Sequence, residues 1–119
     1  MIEKNDILQR VIEGIQEKKG RNISAIELKN VPGAVCDYFV ICEGNTPTQV
    51  SALAESIEKT VRNSIGERPL RMHGQHHAEW IGMDYGDVIV HIFLPELRHF
   101  YNIDLLWEDA RSVRIPDND

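Results

Sequence analysis

A chain of 119 residues, 42% hydrophobic and 27% charged, has the make-up of one soluble globular domain with a modest core. It has no run near ~18 apolar residues, which excludes a helical membrane span, and the opening MIEKNDILQR has no apolar signal core. A net charge of −6 argues against gripping DNA or RNA mainly through phosphates, yet leaves room for a basic protein partner. Cytoplasmic residence is the simplest reading, and in that compartment Cys36 and Cys42 read as free thiols.

Ile7, Leu8, Val11, Ile12 and Ile15 form a one-sided stripe that predicts a helix over 6–19, capped by Asn5 or Asp6 and closed by Gly20. Arg21–Leu28 is a short β-prone run, and Pro32-Gly33 marks a turn. Tyr38–Cys42 is almost continuously apolar, so it reads as a central strand covered on both sides. Thr46-Pro47-Thr48-Gln49 combines a cap, a first-turn proline and a capping-box glutamine. Val50, Leu53, Ala54, Ile57 and Val61 then continue a helix to Gly66. Pro69–His73 reads as a short strand, and Gly74–His77 as a polar irregular stretch.

Ala78–Leu94 organises the rest. It reads as a hairpin turning at Tyr85-Gly86, with Asp84 opposite Asp87, Gly82 opposite Ile89, Trp80 opposite His91 and Ala78 opposite Phe93. Alternation sends Trp80, Asp84, Asp87, Ile89, His91 and Phe93 to one face. The other face, with Ile81, Met83, Val88, Val90, Ile92 and Leu94, is uniformly aliphatic and reads as core. A four-residue loop keeps the same facing. Glu96–Tyr101 and Ile103–Trp107 follow as short helical pieces. Residues 1–110 make one domain, with 111–119 as a loose tail. The fold class is α/β: a mixed sheet of about five strands with helices packed on it.

Each candidate site has a plainer reading beside it. His73, His76 and His77 can bind zinc in principle, but no cysteine or helical spacing supports them, and they read as a solvated loop. His91 as a base has no nucleophile beside it, so it reads as a packed surface histidine. Gly44-Asn45-Thr46 can hold an anion, but the helix cap explains it. Asp84 and Asp87 read as turn-flanking acids, free to pair with a partner's Lys or Arg, rather than a magnesium pair. Trp80 lies either under a helix or at an interface as an anchor. Phe100, Tyr101 and Trp107 read as residues that plug the terminal helix into the body. No catalytic residue, metal or cofactor is expected.

The pieces DYFVICEGN at 37–45, EWI at 79–81, DYGDVIVHIF at 84–93, Phe100-Tyr101 and Leu105-Leu106-Trp107, in that order and spacing, resemble the Iojap/RsfS family of ribosomal silencing factors. The likeness spans roughly residues 5–110. It implies a nucleotidyltransferase-like architecture without that superfamily's catalytic acids, and a protein that is not an enzyme. It implies binding to large-subunit ribosomal protein L-fourteen, a steric block to subunit joining, and repression of translation when nutrients are short. Carried over by residue, the partner-binding set is Trp80, Asp84, Asp87, His91 and Phe93, with Tyr85 as a rim contact. Two other readings compete. A nucleotidyltransferase-like enzyme or nucleotide-binding protein needs a Gly-Ser turn and converging carboxylates, where this chain has Gly44-Asn45 and no Asp-x-Asp. A homodimer of the free protein would use the same face.

Overall fold

The computed structural model describes residues 6–104 and 110–117. The elements run α1 (Asp6–Glu17), β1 (Arg21–Glu27), β2 (Tyr38–Glu43), α2 (Pro47–Ile65), β3 (Arg71–His73), β4 (Trp80–Asp84), β5 (Val88–Phe93), α3 (Pro95–Tyr101) and β6 (Arg111–Ile115). The strands form one mixed sheet in the order β3-β4-β5-β2-β1-β6. The α/β class expected from the sequence is the class observed. The candidate cap Asn5 and the Leu105-Leu106-Trp107 segment lie outside the described residues.

Local chemistry accounts for the helices. Leu8, Val11 and Ile15 of α1 are buried along one stripe, as the spacing predicts. At α2, Thr46 Oγ1 accepts from the Gln49 N–H at 3.1 Å, and Gln49 Oε1 accepts from the Asn45 N–H at 2.8 Å. Two donors at a helix start, which the helix itself leaves unpaired, are thereby satisfied. Gly66 ends α2, its N–H donating to the Arg62 carbonyl.

β2 is buried from Tyr38 to Cys42 and lies inside the sheet, parallel to β5 and antiparallel to β1. Burial pushes the Cys42 thiol up to about 12, so it stays protonated and packs as an apolar group.

The β4–β5 hairpin forms with a register two residues from the one expected. Trp80 pairs with Phe93, Gly82 with His91 and Asp84 with Ile89. Tyr85 N donates to Val88 O at 2.9 Å, which leaves Gly86 and Asp87 as the central turn residues. Gly86 has φ +90, and Asp84 Oδ1 accepts its N–H at 2.7 Å. A turn with φ > 0 at its first central position suits glycine and not tyrosine, so the turn centres one residue later than Tyr85-Gly86. Because the shift is even, every side chain keeps its face.

The tail expectation is corrected at 111–115. This segment is β6, antiparallel to β1, pairing Ile23 with Ile115, Ala25 with Val113 and Glu27 with Arg111. Ile115 packs against the main core. Val113 and Ile115 alternate with Ser112 and Arg114, a period-two pattern too short to stand out without its partner strand.

The two sheet faces differ. One carries Val40, Cys42, Ile81, Met83, Val90 and Ile92 and is buried with residues of α1 and α2. On the other, Phe39, Ile41 and Phe93 are buried with Leu28, Cys36 and Ile103, while Trp80 and Ile89 are only partly covered. The open stretch lies over β4 and β5, where Trp80, Gly82, Asp84, Ile89 and His91 are all half-buried.

Candidate partner-docking face

The hairpin delivers the side chains of this open stretch. Trp80 stands half-buried between two rings, stacked on Phe93 at 4.8 Å and tilted against Tyr101 of α3 at 4.9 Å. Its Nε1–H donates to His91 Nδ1 at 3.1 Å. The indole is thus held by three neighbours and neither sunk beneath a helix nor loose in water. A rigid, partly covered aromatic loses little entropy on binding, which suits an anchor.

His91 meets the edge of Phe39 at 4.9 Å. Burial pushes its pKa down to about 4, against a smaller opposing pull from the Asp104 charge, so the ring is neutral near pH 7. Since Nδ1 accepts from the indole, the ring proton sits on Nε2, a buried atom with no hydrogen-bond partner. A neutral imidazole fixed by an indole and set against Phe39 and Phe93 serves packing.

Gly82 faces outward between these groups, and a Cβ added there would meet nothing within 4 Å. The result is an open concavity of ≈ 480 Å³ lined by Trp80, Gly82, Ile89 and His91, with Arg71, His73 and Asp84 among its other residues. A second hollow of ≈ 200 Å³ lies on the α3 side, lined by Trp80, Tyr101, Leu97, Glu79 and His77. The indole therefore separates two depressions.

Several expected site residues take other roles. Tyr85 is not a rim contact: parity turns it to the helix side, where it is buried in the main core. Burial, reinforced by the Glu58 charge, raises its phenol pKa. Phe93 is fully buried and supports Trp80 from below rather than touching a partner. Asp84 is not free: it caps the turn and lies 3.9 Å from Arg71 Nε. Asp87 is exposed at the turn, and its backbone carbonyl accepts from the N–H groups of Asp37 and Tyr38. The set Trp80, Asp84, Ile89 and His91 is brought together, with Asp87 at the end of the hairpin.

Some features escape sequence reasoning. Arg71 and His73 reach the face from β3, a three-residue strand with no usable period. Phe100 and Tyr101 are exposed, not plugged into the body. Arg98 bonds to Asp104, Glu43, Ser24 and the Asn22 carbonyl. Three of these partners are 55 to 76 residues away in the chain, so no local pattern announces them.

Thr46 is occupied as the α2 cap, and the described residues hold no group of three His, Cys, Asp or Glu side chains placed for a metal. No helix among them is long and apolar enough to cross a membrane.

Residues 2–119 match a protein-family model described as "Ribosomal silencing factor during starvation". The chain is 34% identical to the ribosomal silencing factor RsfS of Halalkalibacterium halodurans, covering 92% of each chain. It is 36% identical to RsfS of Bacillus subtilis, over 87% of this chain and 86% of that one. A mouse protein named for mitochondrial assembly of the ribosomal large subunit is 24% identical over 84% of this chain and 44% of its own. Among solved structures, one from Chromobacterium violaceum superposes with a TM-score of 0.83 at 29% identity, covering 90% of this chain and 88% of the other. One from Bacillus halodurans superposes at 0.80 with 31% identity, covering 94% and 100%.

Proposed function

Because the chain belongs to the family of ribosomal silencing factors, we propose that it docks its open β4–β5 face on ribosomal protein L-fourteen and so keeps the small subunit from joining. Family membership carries the coarser statement, that this is a ribosome-associated silencer of translation. L-fourteen and the steric block are what the resemblance implies. The observation that best supports them here is the half-covered indole of Trp80 between two hollows, on a stretch of sheet where Trp80 and Ile89 are only partly covered.

The mechanism needs no chemistry. An anchoring indole that becomes fully desolvated contributes ~2 kcal/mol or more, and its neighbours exclude water around it. Asp87 and Glu79 are exposed carboxylates at the margins of the face. They favour a cationic surface and speed its approach, more than they add to final affinity. Once seated, the bound body excludes any other from the same place. Under this reading the protein works in the cytoplasm, where ribosomes are, and represses translation under nutrient limitation.

Co-sedimentation with isolated large subunits, and binding to purified L-fourteen, test the reading. The wild-type chain is expected to bind both. Trp80→Glu is expected to abolish binding while the far-ultraviolet circular dichroism is retained. Asp87→Lys is expected to slow association, most at low salt. A wild-type chain that sediments with neither would refute the function; two variants that bind like wild type would refute the assigned face.

A further inference from the structure

α3 turns an aromatic edge to solvent that the sheet face alone does not use. Phe100 is 77% exposed and Tyr101 50% exposed, and their rings meet edge to face at 5.1 Å. An aromatic ring left in water gains little for folding, and exposed apolar surface next to a candidate interface points to a partner. On a helix, residues four apart share a side. Leu97 and Tyr101 therefore lie together along the hollow beside Trp80, and Glu96 lies beside Phe100.

Arg98 holds this edge in place. Its guanidinium bonds Asp104 at 2.8 and 3.2 Å, Glu43 at 3.2 Å and Ser24 at 3.3 Å, and it also reaches the Asn22 carbonyl. Burial opposes its charge, but the hydrogen bond and charges of Asp104 and Glu43 outweigh that and raise its pKa. A seven-residue helix is thereby pinned to β1 and to the end of β2 by one side chain.

We propose that α3 is a second arm of the docking surface. Phe100 and Tyr101 receive an apolar side chain of the protein partner in and around the hollow beside Trp80, and Glu79 and Glu96 meet a lysine or arginine flanking it. The inference rests on the docking reading above and adds the chemistry of the epitope. Two rings and a leucine fit an aliphatic or aromatic group, and the exposed carboxylates select a cationic neighbour. The same carboxylates disfavour a phosphate backbone as occupant. Arg98 acts as a positioning residue, through the helix that carries the rings.

The test measures association and dissociation of the full chain on isolated large subunits. Phe100→Asp is expected to weaken binding at least ~10-fold, through faster dissociation, with an unchanged unfolding midpoint because the ring is in water. Arg98→Lys keeps the charge but loses the planar fork. It is expected to weaken binding and to shift the Trp80 indole N–H resonance, which a merely structural role would leave in place. If Trp80→Glu loses binding while Phe100→Asp keeps it, the α3 arm is refuted and the sheet face stands. If Phe100→Asp binds subunits normally but loses a dimer seen by light scattering, the occupant is a second copy and the proposal is overturned. If the wild-type chain does not bind, the docking reading itself falls.

Discussion

Lowering the pH should cost this fold stability through His91 in particular. The folded-state pKa lies near 4 against an ordinary 6.5, because the ring is buried among Phe39, Trp80 and Phe93. A histidine with a depressed pKa stabilises the fold fully above the unfolded value, and that contribution is lost as pH falls from 6.5 towards about 4. One pKa unit is ~1.4 kcal/mol, so the full loss is about 3 kcal/mol, of which about 2 kcal/mol falls between pH 7 and pH 5. His91→Gln is the comparison, since an amide oxygen can still accept from the Trp80 indole and does not titrate. Urea unfolding of both proteins at the two pH values isolates the effect, because the two chains differ at this residue alone. Wild type should lose about 2 kcal/mol more than His91→Gln. An equal loss in both proteins would refute the reasoning that the imidazole is buried neutral.

Gly74 has φ +88, and a Cβ there would lie 2.0 Å from the Trp80 carbonyl oxygen, so Gly74→Ala must move the start of β4. It is expected to cost about 2 kcal/mol or more in chemical denaturation, and an unchanged midpoint would contradict the loop geometry. Ending the chain at Ala110 removes β6 and bares the edge of β1. The expected loss is about 2–4 kcal/mol from the ladder and from Val113 and Ile115, read as a lower urea midpoint. Thr46→Ala should cost about 1 kcal/mol by thermal or chemical melt, and Thr46→Ser should recover most of it.

The fold was legible wherever one element carried its own pattern. α2 announced itself by Thr46, Pro47, Gln49 and Gly66, and β2 by an unbroken apolar run. The two faces of the hairpin were legible because parity survives any even shift of register. Tyr85 was misplaced because alternation does not say which residue of a turn takes φ > 0, and Gly86 takes it here. Phe93 was misplaced for another reason: a strand face is not uniformly open, and Leu97 and Ile103, from beyond the strand, help to cover it. β6, Arg98 and the exposure of Phe100 depend on contacts distant in the chain, or on a helix of seven residues that shows too few turns for a stripe. The bare position at Gly82 was visible in the sequence, yet its meaning as an opening beside Trp80 needed the packed sheet around it.

The most direct measurement is light scattering during the joining of purified small and large ribosomal subunits. With the wild-type chain in stoichiometric excess, the rise in scattering should be suppressed; with Trp80→Glu it should return towards the level without factor. Joining that proceeds at full rate and extent, with the wild-type chain present and bound to the large subunit, would contradict the occlusion account.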